Sequence, residues 1–106
     1  MSSLRLFALS ALFLIAAGPV ALADDMPAQF RTEHCTMCHT TDHKMIGPSY
    51  KDIAAKYRDD ATALEKLKKK IKDGGGGVWG AAKMPPHPNA SDSDLDVMVK
   101  WILALK

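Results

Sequence analysis

Apolar residues follow two kinds of pattern along the chain. Residues 6–17 form a nearly unbroken apolar run, closed by Gly18 and Pro19. Further on the spacing is helical. Leu64, Leu67 and Ile71 recur at i, i+3 and i+7, and Leu95, Met98, Val99, Ile102 and Leu105 trace one stripe with Trp101 beside it. No run alternates as a strand would.

The polar positions set the ends of these elements. Asp25 and Pro27 read as a helix start, since proline is tolerated in a first turn. A first helix is expected over residues 28–37, with Phe30 on its buried side. Residues 40–48 read as loop. Ser49 can cap a short helix over residues 50–57, with Asp52 at its third position. Asp59 or Asp60 is expected to cap a third helix, which Gly74 ends. Residues 74–88 form a loop rich in glycine and proline, and Ser91 with Asp94 opens the last helix. The expected fold class is all-α, four or so short helices in one domain.

The first apolar run lies outside this domain. One positive charge, Arg5, precedes it, and Ala21-Leu22-Ala23 follows. This is the order of a secretory leader with a small-residue cleavage site. The alternative, a membrane anchor, needs about 20 apolar residues. Residues 1–23 are therefore expected to be removed, leaving residues 24–106 in the periplasm with no membrane anchor. The leader raises the apolar content to 47%. Without Arg5 the balance is 13 basic to 12 acidic residues. That excludes the strongly basic face of a general nucleic-acid binder. So small a domain often needs a disulfide, metal or cofactor to hold it together.

The two cysteines stand together: Cys35-Thr36-Met37-Cys38-His39. Cys-x-x-Cys-His reads as an attachment site for one covalent haem c. Two thiols must reach the vinyl groups of one porphyrin edge, and the imidazole of His39 must face the iron. On a helical turn, i, i+3 and i+4 share a face, so the three side chains converge. The competing readings are weaker. A thioredoxin-like pair needs a βαβ context. A structural zinc site needs a closed ligand set, here only irregularly available with His43 or His87. A plain disulfide leaves His39 unexplained.

A second axial ligand must come from the remaining methionines and histidines. Met37 and His34 flank the motif and cannot easily cross to the other haem face. Met98 sits on a core stripe, where methionine usually packs. Met84 is the foremost candidate, with Met45 or a histidine as alternatives. Pro85 drives Met84 towards extended backbone, and Pro85-Pro86 stiffens the segment.

Together the motifs resemble the class I bacterial cytochromes c, in particular the small c551/c552 (c8) group. The resemblance runs through Cys35-Thr36-Met37-Cys38-His39, Lys44-Met45-Ile46-Gly47-Pro48-Ser49-Tyr50, Gly77-Val78-Trp79-Gly80, Met84-Pro85-Pro86 and Lys100-Trp101-Ile102-Leu103. It implies the small cytochrome c fold around one haem. It implies that His39 and Met84 are the axial ligands, and that the Pro48 carbonyl orients His39. It further implies that Trp79 donates to a propionate, with Lys70 as a second basic partner, and that Phe30 and Trp101 join the first and last helices. Residues 74–77 would let backbone pass close to the porphyrin. Two departures stand out: His87-Pro88-Asn89-Ala90 after the prolines, and four consecutive glycines.

His/Met ligation would close both axial positions and raise the reduction potential over bis-histidine ligation. The expected function is one-electron transfer in a respiratory chain, by a monomer that is not an enzyme. Its partners would be a redox donor and an acceptor of terminal oxidase, nitrite reductase or peroxidase type. A permanent subunit of a larger redox complex and a ligand-sensing or peroxidase-like protein are the other classes. The lysines around Lys68-Lys69-Lys70 read as a solvated face or as a rim that steers an acidic partner. Lys83, beside the Met84 loop, is better placed for that rim.

Overall fold

The computed structural model describes residues 11–15, 18 and 25–106. Most of the expected leader and its cleavage site at Ala23 lie outside the described residues. Four α-helices are present among the described residues: α1 Gln29–Thr32, α2 Tyr50–Tyr57, α3 Ala63–Asp73 and α4 Asp92–Leu103. A single 3-10 turn, Cys35–Met37, lies between α1 and α2. Among the described residues, no helix is long and apolar enough to cross a membrane.

Two helix starts follow local chemistry. The Ser49 hydroxyl accepts from the Asp52 N–H at 3.0 Å, and the Ser91 hydroxyl from the Asp94 N–H at 3.1 Å. Each satisfies an N–H with no partner inside its helix. Gly74 ends α3 at φ 69°, its N–H on the Lys70 carbonyl at 2.8 Å.

The first helix differs from the expectation of one element over residues 28–37. It stops after one turn, because His34 adopts φ 58°, ψ 25°, which a right-handed helix cannot include. The chain swings there and restarts as the 3-10 turn. The third helix also departs. Its first residue follows Thr62, which makes no side-chain cap. Asp60 instead holds the approach, accepting from Thr62 N–H at 2.8 Å.

α1, α2 and α3 all pack on α4. The core joins Phe30, Tyr50, Ile53, Leu95, Met98 and Ile102. Burying each such side chain contributes about 1.5–3 kcal/mol. Phe30 meets Tyr50 at 5.0 Å and Trp101 at 5.2 Å between ring centroids, both edge-on, so the first and last helices are joined by aromatic contact. Such pairs add about 0.5–1.5 kcal/mol beyond burial. The α3 stripe is only half-buried, since Leu67 and Ile71 line a cleft as well as packing on the core.

Lys68 is neither a solvated nor a steering lysine. Its side chain is buried, with its ammonium 2.8 Å from Asp92 and farther from Glu65 and Asp96. It ties α3 to the start of α4. Lys66 and Lys69 are exposed but paired, to Asp60 and Asp73.

Candidate functional site

The site begins at the break after α1. Within the tight turn that follows, the Cys35 carbonyl accepts from Cys38 N–H at 3.2 Å and from His39 N–H at 3.0 Å. Two thiols and an imidazole therefore issue from one turn. The Gly47 N–H donates to the Cys38 carbonyl at 2.9 Å and draws the 40–48 loop against it. The two cysteines form no disulfide with each other and are half-buried. Burial, and then the Glu33 charge, push the Cys35 thiol up to about 11. A reactive redox cysteine is shifted the other way.

His39 is fixed from three sides. Its Nδ1 lies 2.7 Å from the Pro48 carbonyl oxygen. A carbonyl can only accept, so Nδ1 donates, and the lone pair of the neutral ring is on Nε2. The Tyr50 ring stacks on the imidazole at 5.5 Å. At Gly47 a Cβ would meet the imidazole at 2.5 Å, so only glycine fits there without displacing it.

Met84 belongs to a segment held by backbone bonds. Gly75 and Met84 exchange both N–H···O bonds at 2.9 Å, a two-residue antiparallel bridge inside what the sequence presents as loop. At Gly74 a Cβ would meet the Met84 carbonyl oxygen at 2.5 Å, so glycine is required twice over, by contact and by φ. Beyond the two prolines, His87 N–H donates to the last α3 carbonyls, Ile71 at 3.0 Å and Lys72 at 3.2 Å. The strap is thus sewn at one end to Gly75, just past α3, and at the other to α3 itself.

Met84 lines the same cleft as Cys35, Cys38, His39 and Pro48, a space of about 310 Å³. The alternatives fare worse. Met37 is 69% exposed and Met45 43%. Met98 is fully buried and belongs to the core. His34 and His43 are exposed, and His87 is engaged with Glu33. Trp79 and Lys70 line the cleft too, joined by Lys66 and Lys83. Lys56 Nζ sits 5.5 Å from the Trp79 ring centroid, a cation–π contact.

Several participants carried no sequence signal of their own. Tyr50 reads as an ordinary first residue of α2, yet it backs the imidazole. Lys56 and Lys66 read as surface charges. The glycine pair Gly47 and Gly74 is detectable only as candidate turn residues, because what each must avoid lies elsewhere in the chain.

This donor set fits a haem. Two thiols issuing from one turn are suited to thioether formation, an oriented imidazole offers Nε2, and a soft thioether lines the same apolar cleft. Basic side chains at its edge suit carboxylate groups. Comparison with known proteins agrees. The family model "Cytochrome c" matches residues 25–106. Cytochrome c-551 of Allochromatium vinosum is 46% identical over 87 residues, 82% of this chain and 90% of that protein. Cytochrome c-551 of Pseudomonas aeruginosa is 43% identical, covering 88% and 86%. The crystal structure of wild-type Nitrosomonas europaea cytochrome c552 superposes with a TM-score of 0.70 at 47% identity, covering 73% of this chain and 95% of that one. The chain belongs to the cytochrome c family, in its class I c551/c552 group, and its cofactor is one haem c joined through Cys35 and Cys38.

Proposed function

We propose that the chain is a one-electron carrier whose haem iron is held between His39 and Met84. The observation that carries this is the 2.7 Å bond from His39 Nδ1 to the Pro48 carbonyl, in a cleft that Met84 also lines. Bound there, the haem would supply one-electron redox chemistry at its iron, and His39 and Met84 are the residues that would hold it. The chain's own residues do the rest. Pro48 holds the proton of His39 on Nδ1, which leaves Nε2 free to ligate and raises its basicity. Gly47 and Tyr50 keep the ring from turning. The Gly75 bridge and the two prolines keep the Met84 thioether where a weak ligand must be kept. Trp79 and Lys70 hold the propionates, and the apolar lining excludes water and so favours the less charged iron state.

The chain acts on no substrate of its own in this reading. It takes an electron from one redox protein and gives it to another through small, short-lived contacts, as a monomer. Terminal oxidase, nitrite reductase and peroxidase are the acceptor types that suit it. Residues 1–23 are a leader cleaved after Ala23, and residues 24–106 work in the periplasm. Mass spectrometry of the exported protein tests both points, since the polypeptide should begin at Asp24 and carry one haem.

The ligand assignment is tested by the weak sulfur-to-ferric-iron absorption band. Wild type should have the band and Met84→Ala should lose it. Persistence of the band in Met84→Ala would remove Met84 from the iron.

A further inference from the structure

The far end of the Met84 strap is tied by two side chains 54 positions apart in sequence. His87 Nδ1 stands 3.3 Å from Glu33 Oε2, and the side chains are only 17% and 22% exposed. Glu33 closes the end of α1, immediately before His34 and the cysteine turn. The His87 N–H is meanwhile committed to the last carbonyls of α3. One residue therefore fastens the strap to α3 by its backbone and to α1 by its ring. Only Pro85 and Pro86 separate it from Met84. Their fixed φ angles transmit a displacement along the chain rather than absorbing it.

We propose that His87 is a positioning residue for Met84, with Glu33 as its anchor, so that this pair sets how often the thioether leaves the iron. The proposal rests on Met84 being the axial ligand. Glu33 faces the ring from the end of α1. On α3, the Lys72 ammonium is bonded to the Ala90 carbonyl at 3.0 Å. An imidazolium holds the carboxylate by charge and hydrogen bond together, whereas a neutral ring offers at most the hydrogen bond.

The test uses the ferric holoprotein and cyanide, which reaches the iron only after the thioether departs. Glu33→Gln and His87→Asn should each bind cyanide roughly fivefold faster than wild type at pH 7, the increase expected from losing one partly screened contact. The double variant should be no faster than either single one. Wild type and variants are compared at one pH, so the titration of cyanide itself cancels. Equal rates in wild type and the single variants, or effects that multiply in the double variant, overturn the proposal while leaving Met84 on the iron. A wild-type protein without the sulfur–iron band overturns the ligand assignment and the latch together.

Discussion

Gly47 and His39 are in contact through an atom that glycine lacks. A Cβ at position 47 would lie 2.5 Å from His39 Cε1 and 2.9 Å from Nδ1. Both distances are too short for any rotation of the methyl group to relieve, so the imidazole must move. Its Nδ1 bond to the Pro48 carbonyl would stretch or bend, because the obstacle sits beside the donor atom. Gly47→Ala is therefore expected to destabilise the holoprotein by about 1–3 kcal/mol, the usual cost of forced overpacking. It should also shift the reduction potential, because the orientation and basicity of the ligating ring change. Thermal unfolding and voltammetry of the same preparation check the two effects. A variant with both unchanged would mean that the His39 ring has freedom to yield.

A second expectation concerns Tyr50. Its ring is 2% exposed and stacks on His39, but its buried hydroxyl has no hydrogen-bond partner among the described residues. Burial pushes its ionisation upward, so the hydroxyl stays neutral at any working pH. An unpaired buried hydroxyl costs about 1–3 kcal/mol in desolvation. Tyr50→Phe keeps the ring and removes that cost. It should be neutral or more stable by up to about 1 kcal/mol, as read from denaturant midpoints. A loss of more than that would show that the hydroxyl is bonded in the holoprotein.

These two residues also mark how much of the site was legible in the sequence. Features decided within four or five residues were readable: the Ser49 and Ser91 caps, the Gly74 stop, and the convergence of Cys35, Cys38 and His39. The place of Met84 on the cleft wall was readable because Pro85 constrains its backbone locally. What escaped depends on partners distant in sequence. Lys68 resembles its neighbours Lys69 and Lys70, and only Asp92 on another helix makes it buried. The bridge between Gly75 and Met84 and the contact of His87 with Glu33 close loops that no periodicity announces. The break at His34 is of the same kind. Nothing in its side chain demands φ 58°, and the demand comes from where the cysteine turn must go.

That break yields a third prediction. A non-glycine residue in left-handed backbone costs about 1–2 kcal/mol, and a β-branched one costs most. His34 is exposed, and its ring caps no helix through a side-chain hydrogen bond. Substitution there changes backbone energy with little else. His34→Gly should be at least as stable as wild type, although glycine gives back part of the gain through a more flexible unfolded chain. His34→Val should fall below His34→Gly by about 2 kcal/mol. The ordering Gly, His, Val in melting temperature is the measurement, and Val at or above Gly would mean that the turn relaxes out of the left-handed region.

The last prediction is a pH dependence at the entry to α3. Asp60 gathers three donors: Thr62 N–H at 2.8 Å, the Thr62 hydroxyl at 2.6 Å, and the Lys66 ammonium at 2.8 Å. Lys66 foremost, then Thr62, hold its carboxyl at about 2, below the usual 3.8. A carboxyl whose folded value is depressed contributes its full stability above its ordinary value and loses it as pH falls towards the folded one. Asp60→Asn keeps an amide oxygen for Thr62 but no charge for Lys66. Wild type should therefore melt above Asp60→Asn at pH 7, and the gap should close between about pH 4 and pH 2. The pair is solvent-facing, so added salt should narrow the gap at pH 7 as well. Melting curves of the ferric holoprotein at pH 7, 4 and 2 decide the matter. A gap that persists unchanged at pH 2 would mean that the carboxylate is not the form that holds the helix start.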